Sequence, residues 1–256
     1  MIYLYGLIDM AGPLDATVIA NMPSALGPMR ADRVDNWTVV TSAFDGEVVL
    51  PKRRLMLAHT KIVETMMAHG TVLPARFGLL ADNFVAVESL LRARATQIAS
   101  EFSRVRDCVE LGIRISFDRD AALQATLQAN PALLRKRDML AGQGPEAHFS
   151  RAEFGREIAE RLDERRGASQ HALLQALTPL ATSHVLRAPE EDVEVLRAEF
   201  LLPQSDQDSF VRSVDLAARK LTFAPNAEPL VQVIGPAPPY NFVSLSLTPD
   251  DAEEAA

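Results

Sequence analysis

Apolar positions along the chain switch between strand-like and helix-like spacing, and the switches divide it into elements. Ile2 to Ile8 is an apolar run with two tyrosines and predicts a buried strand. Gly12-Pro13 breaks it, and Leu14 to Asn21 reads as a short helix with Asp15 near its start. Met29 to Val34 and Trp37 to Phe44 meet at Asp35-Asn36, a hairpin signal, and Asp45-Gly46 ends the pair. From Pro51 a helix begins, with proline suited to the first turn. Its positions Leu55, Ile62, Val63 and Met66 recur at helical spacing, and Gly70 stops it. Thr71-Val72-Leu73 follows as a strand. The order is β-α-β-β-α-β, the split β-α-β or ferredoxin-like order.

Asp82 reads as the N-cap of one long helix over 82–106, because Phe84, Val87, Leu91, Ala95, Ile98, Phe102 and Val105 advance by threes and fours. Val109 to Phe117 alternates strictly. Val109, Leu111, Ile113, Ile115 and Phe117 fall on one side, Glu110 and Arg114 on the other, which marks a half-buried strand. Asp118 to Gly144 predicts one or two short helices interrupted at Asn130-Pro131, then a loop. Ala147 to about Leu180 is helical through Phe154, Ile158, Leu162, Leu173 and Leu177, with Gly167 a point of bending. Thr182 to Ala188 and Val193 to Leu202 are strands around Pro189-Glu190-Glu191. Asp206 or Ser205 caps a helix through Phe210, Val214, Ala217 and Leu221, and Leu230 to Ile234 is the last strand. Setting aside the 118–146 insertion, the second half repeats the order of the first, without a residue-level repeat.

Length and composition fit this picture. At roughly 100–200 residues per domain, 256 residues make one large domain or two small ones, and 48% hydrophobic residues suit a folded chain. No stretch approaches the ~18–20 apolar residues of a membrane span. The N-terminus lacks the basic region of a signal peptide. Lone Cys108 excludes a disulfide framework and a cysteine-rich zinc site, which fits a reducing cytoplasm.

The charge of −8 is uneven: residues 181–256 hold five basic and thirteen acidic side chains, whereas the rest is balanced. Two basic clusters, Lys52-Arg53-Arg54 and Arg135-Lys136-Arg137, are short and sit in neutral surroundings. They read as solvated helix starts or turns, so nucleic acid is not an expected partner.

Enzyme signatures are missing: there is no GxSxG, HExxH, P-loop or GxGxxG. The nearest to a phosphate loop, Gly142-Gln143-Gly144-Pro145, loses a donor at proline and has no Lys-Ser or Lys-Thr after it. The five histidines are scattered, so no metal site or cofactor is expected. His59 lies on an apolar helix stripe and is read first as a core group held by a hydrogen bond, with a ligand or base as the alternative. Asp163-Glu164 beside Arg161, Arg165 and Arg166 reads as an ion-paired solvent face.

Two segments stand apart. In Val72-Leu73-Pro74-Ala75-Arg76-Phe77-Gly78 an arginine lies between apolar residues; if buried it needs a carboxylate or backbone carbonyls. It reads as a structural ion pair, with Glu64 or Glu110 as candidates, ahead of a binding role. In Gly235-Pro236-Ala237-Pro238-Pro239-Tyr240-Asn241-Phe242-Val243 the prolines stiffen an extended stretch. It delivers Tyr240 and Phe242 to an apolar surface, expected to be the protein's own N-terminal half.

With these segments the chain resembles the gas vesicle protein F/L family over nearly its whole length. The resemblance includes Tyr3-Leu4-Tyr5-Gly6, the helix carrying His59, and Glu110-Leu111-Gly112-Ile113-Arg114. Its motif positions are His59, Pro74, Arg76, Phe77, Gly78, Glu110, Arg114, Gly235, Pro236, Pro238, Pro239, Tyr240 and Phe242. Departures are Thr60 where the family commonly has asparagine, Leu111 where it has an aromatic, and Ala237 where it often has tryptophan. Without that anchor the tail is expected to dock less firmly.

The resemblance implies a non-catalytic accessory or minor structural protein of gas vesicles, cytoplasmic and vesicle-associated. Its implied partners are the small hydrophobic shell protein of the GvpA type and other accessory proteins, with no lipid membrane. The expected role is to limit shell-protein aggregation and support nucleation and assembly. The expected fold is α+β with two ferredoxin-like domains: residues 1–81, a connecting helix 82–106, residues 107–236 with helices inserted at 118–146, and a Pro-rich tail 237–256 with a disordered acidic end. The alternatives are a small-molecule-binding protein or enzyme on the same scaffold, which would need a pocket holding His59 or Arg76, and an inert wall component.

Overall fold

The computed structural model of the chain describes residues 1–10 and 12–243. The acidic end expected to be disordered lies outside them. The chain forms two compact units, one made of Met1–Glu110 with the stretch from Pro236, the other of Leu111–Gly235.

In the first unit, β1 (Ile2–Asp9), α1 (Ala16–Asn21), β2 (Met29–Val34), β3 (Trp37–Ala43), α2 (Arg53–Met67) and β4 (Thr71–Pro74) follow the predicted order. The strands lie side by side as β2-β3-β1-β4, each neighbouring pair antiparallel. A two-strand-residue addition, β5 (Leu80–Ala81), pairs with the start of β1. The β2–β3 turn is Asp35-Asn36, with Val34 opposite Trp37 and Asp35 at φ +52°, as a two-residue hairpin loop requires.

Central β1 is buried along nearly its whole length. Its pairing with β3 slips between Leu4 and Gly6, which puts Tyr3, Tyr5 and Ile8 in one cluster although Tyr5 and Ile8 differ by an odd number. Ile62, Val63 and Met66 of α2 complete that cluster. On its other side β1 is closely approached by β4 at Gly6, where a Cβ would lie 2.6 Å from the Leu73 carbonyl oxygen.

The single helix expected over 82–106 is two helices, α3 (Phe84–Ala93) and α4 (Ala95–Val105), separated at Arg94, whose φ of −107° and ψ of 18° leave the helical region. Both belong to the first unit, and not to a separate connector. Asn83, not Asp82, is the N-cap: its side chain accepts from the Ala86 N–H at 2.9 Å. Trp37 and Phe102 stack with ring centres 6.1 Å apart, joining β3 to α4.

The second unit contains most of β6 (Cys108–Ser116), then α5 (Arg119–Gln128), α6 (Pro131–Ala141), α7 (His148–Leu177), β7 (Ser183–Leu186), β8 (Glu194–Pro203), α8 (Gln207–Arg219) and most of β9 (Leu230–Ala237). The strand order is β7-β8-β6-β9. As in the first unit, the earliest strand lies between the third and the fourth. Pro131 separates α5 from α6. The buried stripe of α8 is Phe210, Val214 and Ala218; Leu221 lies beyond its end. β9 runs three residues past the expected Ile234, so Gly235, Pro236 and Ala237 belong to a strand and the tail starts later. β6 is covered on both sides through Ile113, because Glu110 is only 5% exposed. Among the described residues no helix is long and apolar enough to cross a membrane.

Candidate functional site

His59 faces inward from α2 because it continues the stripe of Ile62, Val63 and Met66. Its Nε2 lies 3.2 Å from the Ala75 carbonyl oxygen and its Nδ1 lies 2.8 Å from the Tyr3 hydroxyl. A carbonyl oxygen only accepts, so Nε2 carries the proton and the Tyr3 hydroxyl donates to Nδ1. The same hydroxyl accepts from the Gly78 N–H at 3.2 Å. One chain of hydrogen bonds thus ties β1, α2 and the 75–78 loop together.

The imidazole is enclosed by aromatic rings: Tyr5 stacks on it at 5.5 Å, and Phe77 and Tyr3 meet it edge-on at 5.8 and 5.7 Å. Burial is the main reason its pKa falls to about 4, partly opposed by the Ala75 carbonyl. Burial likewise pushes the Tyr3 phenol up to about 12, against the bond from Gly78. Both groups are neutral near pH 7.

The tail meets this unit a few residues on. Glu110 accepts from the Asn241 backbone N–H at 2.8 Å and from its side-chain amide at 2.6 Å. Arg104, paired with Glu101, donates to the Phe242 carbonyl. Phe242 is buried, as are Pro238 and Pro239. Tyr240 packs on the Tyr3–Tyr5 cluster, and burial raises its phenol pKa. Its hydroxyl, close to Thr60, has no partner of hydrogen-bonding geometry among the described residues.

The structure therefore gathers His59, Phe77, Gly78 and Tyr240 around Tyr3, and sets Glu110 against Asn241, the residue before Phe242. Other motif residues stand elsewhere. Arg114 pairs with Glu190 at 3.2 Å in the second unit. Pro74 lies opposite Gly6 across β1 and β4, and Gly235 and Pro236 are exposed on β9. Arg76 departs from its expected environment. It is exposed, and among the described residues neither Glu64 nor Glu110 pairs with it. Phe77 turns inward from the loop after Pro74, and Arg76 before it stays in solvent.

Asn241 and Arg104 are contributors that the sequence did not single out; their partners lie 131 and 138 residues away. A cleft of about 590 Å³ is lined by Asp9, Arg33, Trp37, Phe102 and Arg106, and includes neither His59 nor Arg76. Among the described residues no three His, Cys, Asp or Glu side chains group as metal ligands.

This α+β architecture is that of solved gas vesicle proteins. It superposes on GvpF from Anabaena sp. PCC7120 with a TM-score of 0.73 over 96% of both chains at 24% identity. GvpF from Microcystis aeruginosa gives 0.71, covering 95% of this chain and 99% of that one at 25% identity. In sequence, gas vesicle protein F of Streptomyces sp. (strain CB03234) is 32% identical over 199 residues, 77% of this chain and 80% of that protein. Gas vesicle protein F of Microcystis aeruginosa (strain PCC 7806) is 28% identical over 217 residues, 84% and 87% of the two chains. The family described as gas vesicle synthesis protein GvpL/GvpF matches residues 1–244, and the chain belongs to that family. Its role is a gas-vesicle role.

Proposed function

We propose that this protein acts by binding, as an accessory or minor structural component that holds the small hydrophobic shell protein, limits its aggregation and supports nucleation and assembly of the vesicle wall. It works in the cytoplasm at the forming vesicle, without a catalytic step. A shell subunit with an apolar gas-facing side associates non-specifically unless that side is covered before it joins the wall. A folded protein offering strand edges or apolar helix faces can cover it and let it go.

The observation that carries the reading, beside family membership, is that His59, Phe77, Gly78 and Tyr240 of the motif close around Tyr3 as packed core. His59 is neutral, ringed by aromatics and bonded at both nitrogens. In this proposal the motif residues serve as a clamp: the His59–Tyr3–Gly78 chain fixes the 75–78 loop, and Glu110 and Arg104 fix the tail. Partner contact then falls to the surface that this clamp holds rigid.

Mixing the purified protein with the shell subunit, and following co-purification and light scattering, tests the reading. A complex with suppressed scattering is expected. Unchanged aggregation with no complex refutes it.

A further inference from the structure

We infer that the surface formed by the 48–57 stretch and Arg76 is a docking site for an amphipathic segment of a partner that carries carboxylates beside its apolar residues; the assignment rests on the binding role proposed above. Val48, Leu50 and Leu57 are 71%, 60% and 60% exposed, and Met56 is 46% exposed. These large apolar side chains lie within ten residues of one another, where single scattered exposures would be ordinary.

The charges of this surface point to the partner's chemistry. Lys52, Arg53, Arg54 and Arg76 are all exposed, and among the described residues none has a carboxylate partner. Elsewhere many cations of this acid-rich chain are paired, as Arg92 with Glu88, Arg119 with Asp192, Arg161 with Glu164 and Arg219 with Asp215. Arg135, Arg212 and Lys220 are also exposed without a carboxylate partner among the described residues. In the second basic cluster, Lys136 meets Glu157 and Arg137 meets Asp138. The two clusters look alike in sequence, yet the second has two of its three cations paired and the first has none.

Local stability does not account for the arrangement. Lys52 is the N-cap of α2 with no side-chain cap bond, Arg53 and Arg54 open the helix, and no acid lies in its first turn. Cations at that end oppose the helix dipole. A sequence that breaks a local rule without a compensating contact marks a surface selected for something else.

Arg76 joins the surface through two contacts of its loop. The carbonyl of Ala75 is bonded to His59, one turn past Leu55. A Cβ on Gly78 would lie 3.9 Å from the Val49 carbonyl oxygen. The loop between therefore runs beside the 49–59 stretch, with Phe77 turned in and Arg76 turned out. The His59 clamp then has a further consequence: it fixes the loop that carries the fourth cation.

The test uses the full chain and two labelled helical peptides of equal length, each with a leucine face, one flanked by glutamates and the other by lysines. Fluorescence anisotropy is expected to show binding of the glutamate peptide that weakens with added salt, and none of the lysine peptide. The Lys52→Glu/Arg53→Glu/Arg54→Glu variant and the separate Arg76→Glu variant, checked for unchanged melting temperature, are expected to weaken it, the triple variant by about tenfold. Leu50→Ser/Leu57→Ser is expected to weaken it as well. No binding of the glutamate peptide, equal binding of both peptides, or indifference to all three variants overturns the assignment. The same variants in the shell-subunit assay separate the two claims. Retention by the parent and equally by the triple variant refutes this surface alone, and no retention by the parent refutes the binding role itself.

Discussion

The buried carboxylate of Glu110 holds Asn241 by both its backbone N–H and its side-chain amide, 131 positions further along the chain. The two donors go to different carboxylate oxygens, so the arrangement fixes both position and orientation of the tail. Glu110→Ala is expected to destabilise the protein by about 1–3 kcal/mol, since it leaves the amide donors without their acceptor. Limited proteolysis followed by mass mapping should show faster cleavage after Ala237. Unchanged cleavage would mean that Arg104, Phe242 and the prolines hold the tail without Glu110.

Two buried tyrosines in one cluster should respond differently to loss of their hydroxyls. The Tyr3 hydroxyl donates to His59 and accepts from Gly78, whereas the Tyr240 hydroxyl has no partner among the described residues. Tyr3→Phe strands one donor and one acceptor, and is expected to cost about 1–3 kcal/mol, against less than about 0.5 kcal/mol for Tyr240→Phe. Urea denaturation of the two variants measures the difference. Equal losses would contradict the hydrogen-bond assignment.

What the sequence revealed of this fold, and what it hid, follows the range of the interactions. The Asp35-Asn36 turn, the Asn130-Pro131 break and the strand β6 are local and could be read directly. The break at Arg94 could not, because the apolar stripe runs through Leu91, Ala95 and Ile98 with no glycine or proline to interrupt it. Glu110 sits on the polar side of an alternating strand and reads as solvent-facing; the distant tail buries it. Arg76 errs in the opposite direction. Its apolar neighbours imply burial, but after Pro74 the backbone leaves the strand and the alternation of faces no longer applies.

Two glycines that both meet a near neighbour should tolerate alanine unequally. At Gly6 a Cβ would lie 2.6 Å from the Leu73 carbonyl oxygen, part of the β4 backbone that is fixed by its pairing with β1. At Gly112 the nearest atom is also 2.6 Å away, but it is the carboxylate end of Glu199. Gly6→Ala is expected to cost more than about 2 kcal/mol, and Gly112→Ala less than about 1, because a side-chain terminus can turn aside where a paired backbone cannot. Thermal melts of both variants decide this, and a milder effect at Gly6 would argue against the close approach of β4 to Gly6.

Acid should weaken the protein through His59. Its pKa is about 4 in the folded chain against 6.5 unperturbed, so between these values the unfolded chain binds the proton and the folded chain does not. The contribution is fully present above about pH 6.5 and is lost as pH falls toward 4, with an upper bound of about 3 kcal/mol. Carboxylates also titrate in the lower part of this window, so the informative quantity is a difference. His59→Gln removes the titrating group, and is expected to be less stable than the parent at pH 7 but to lose less between pH 6.5 and 4.5. Denaturant midpoints of both proteins across that interval measure the two slopes. Parallel slopes would show that the imidazole takes up its proton without opening the Tyr3 and Ala75 contacts, contrary to the closed core described for it.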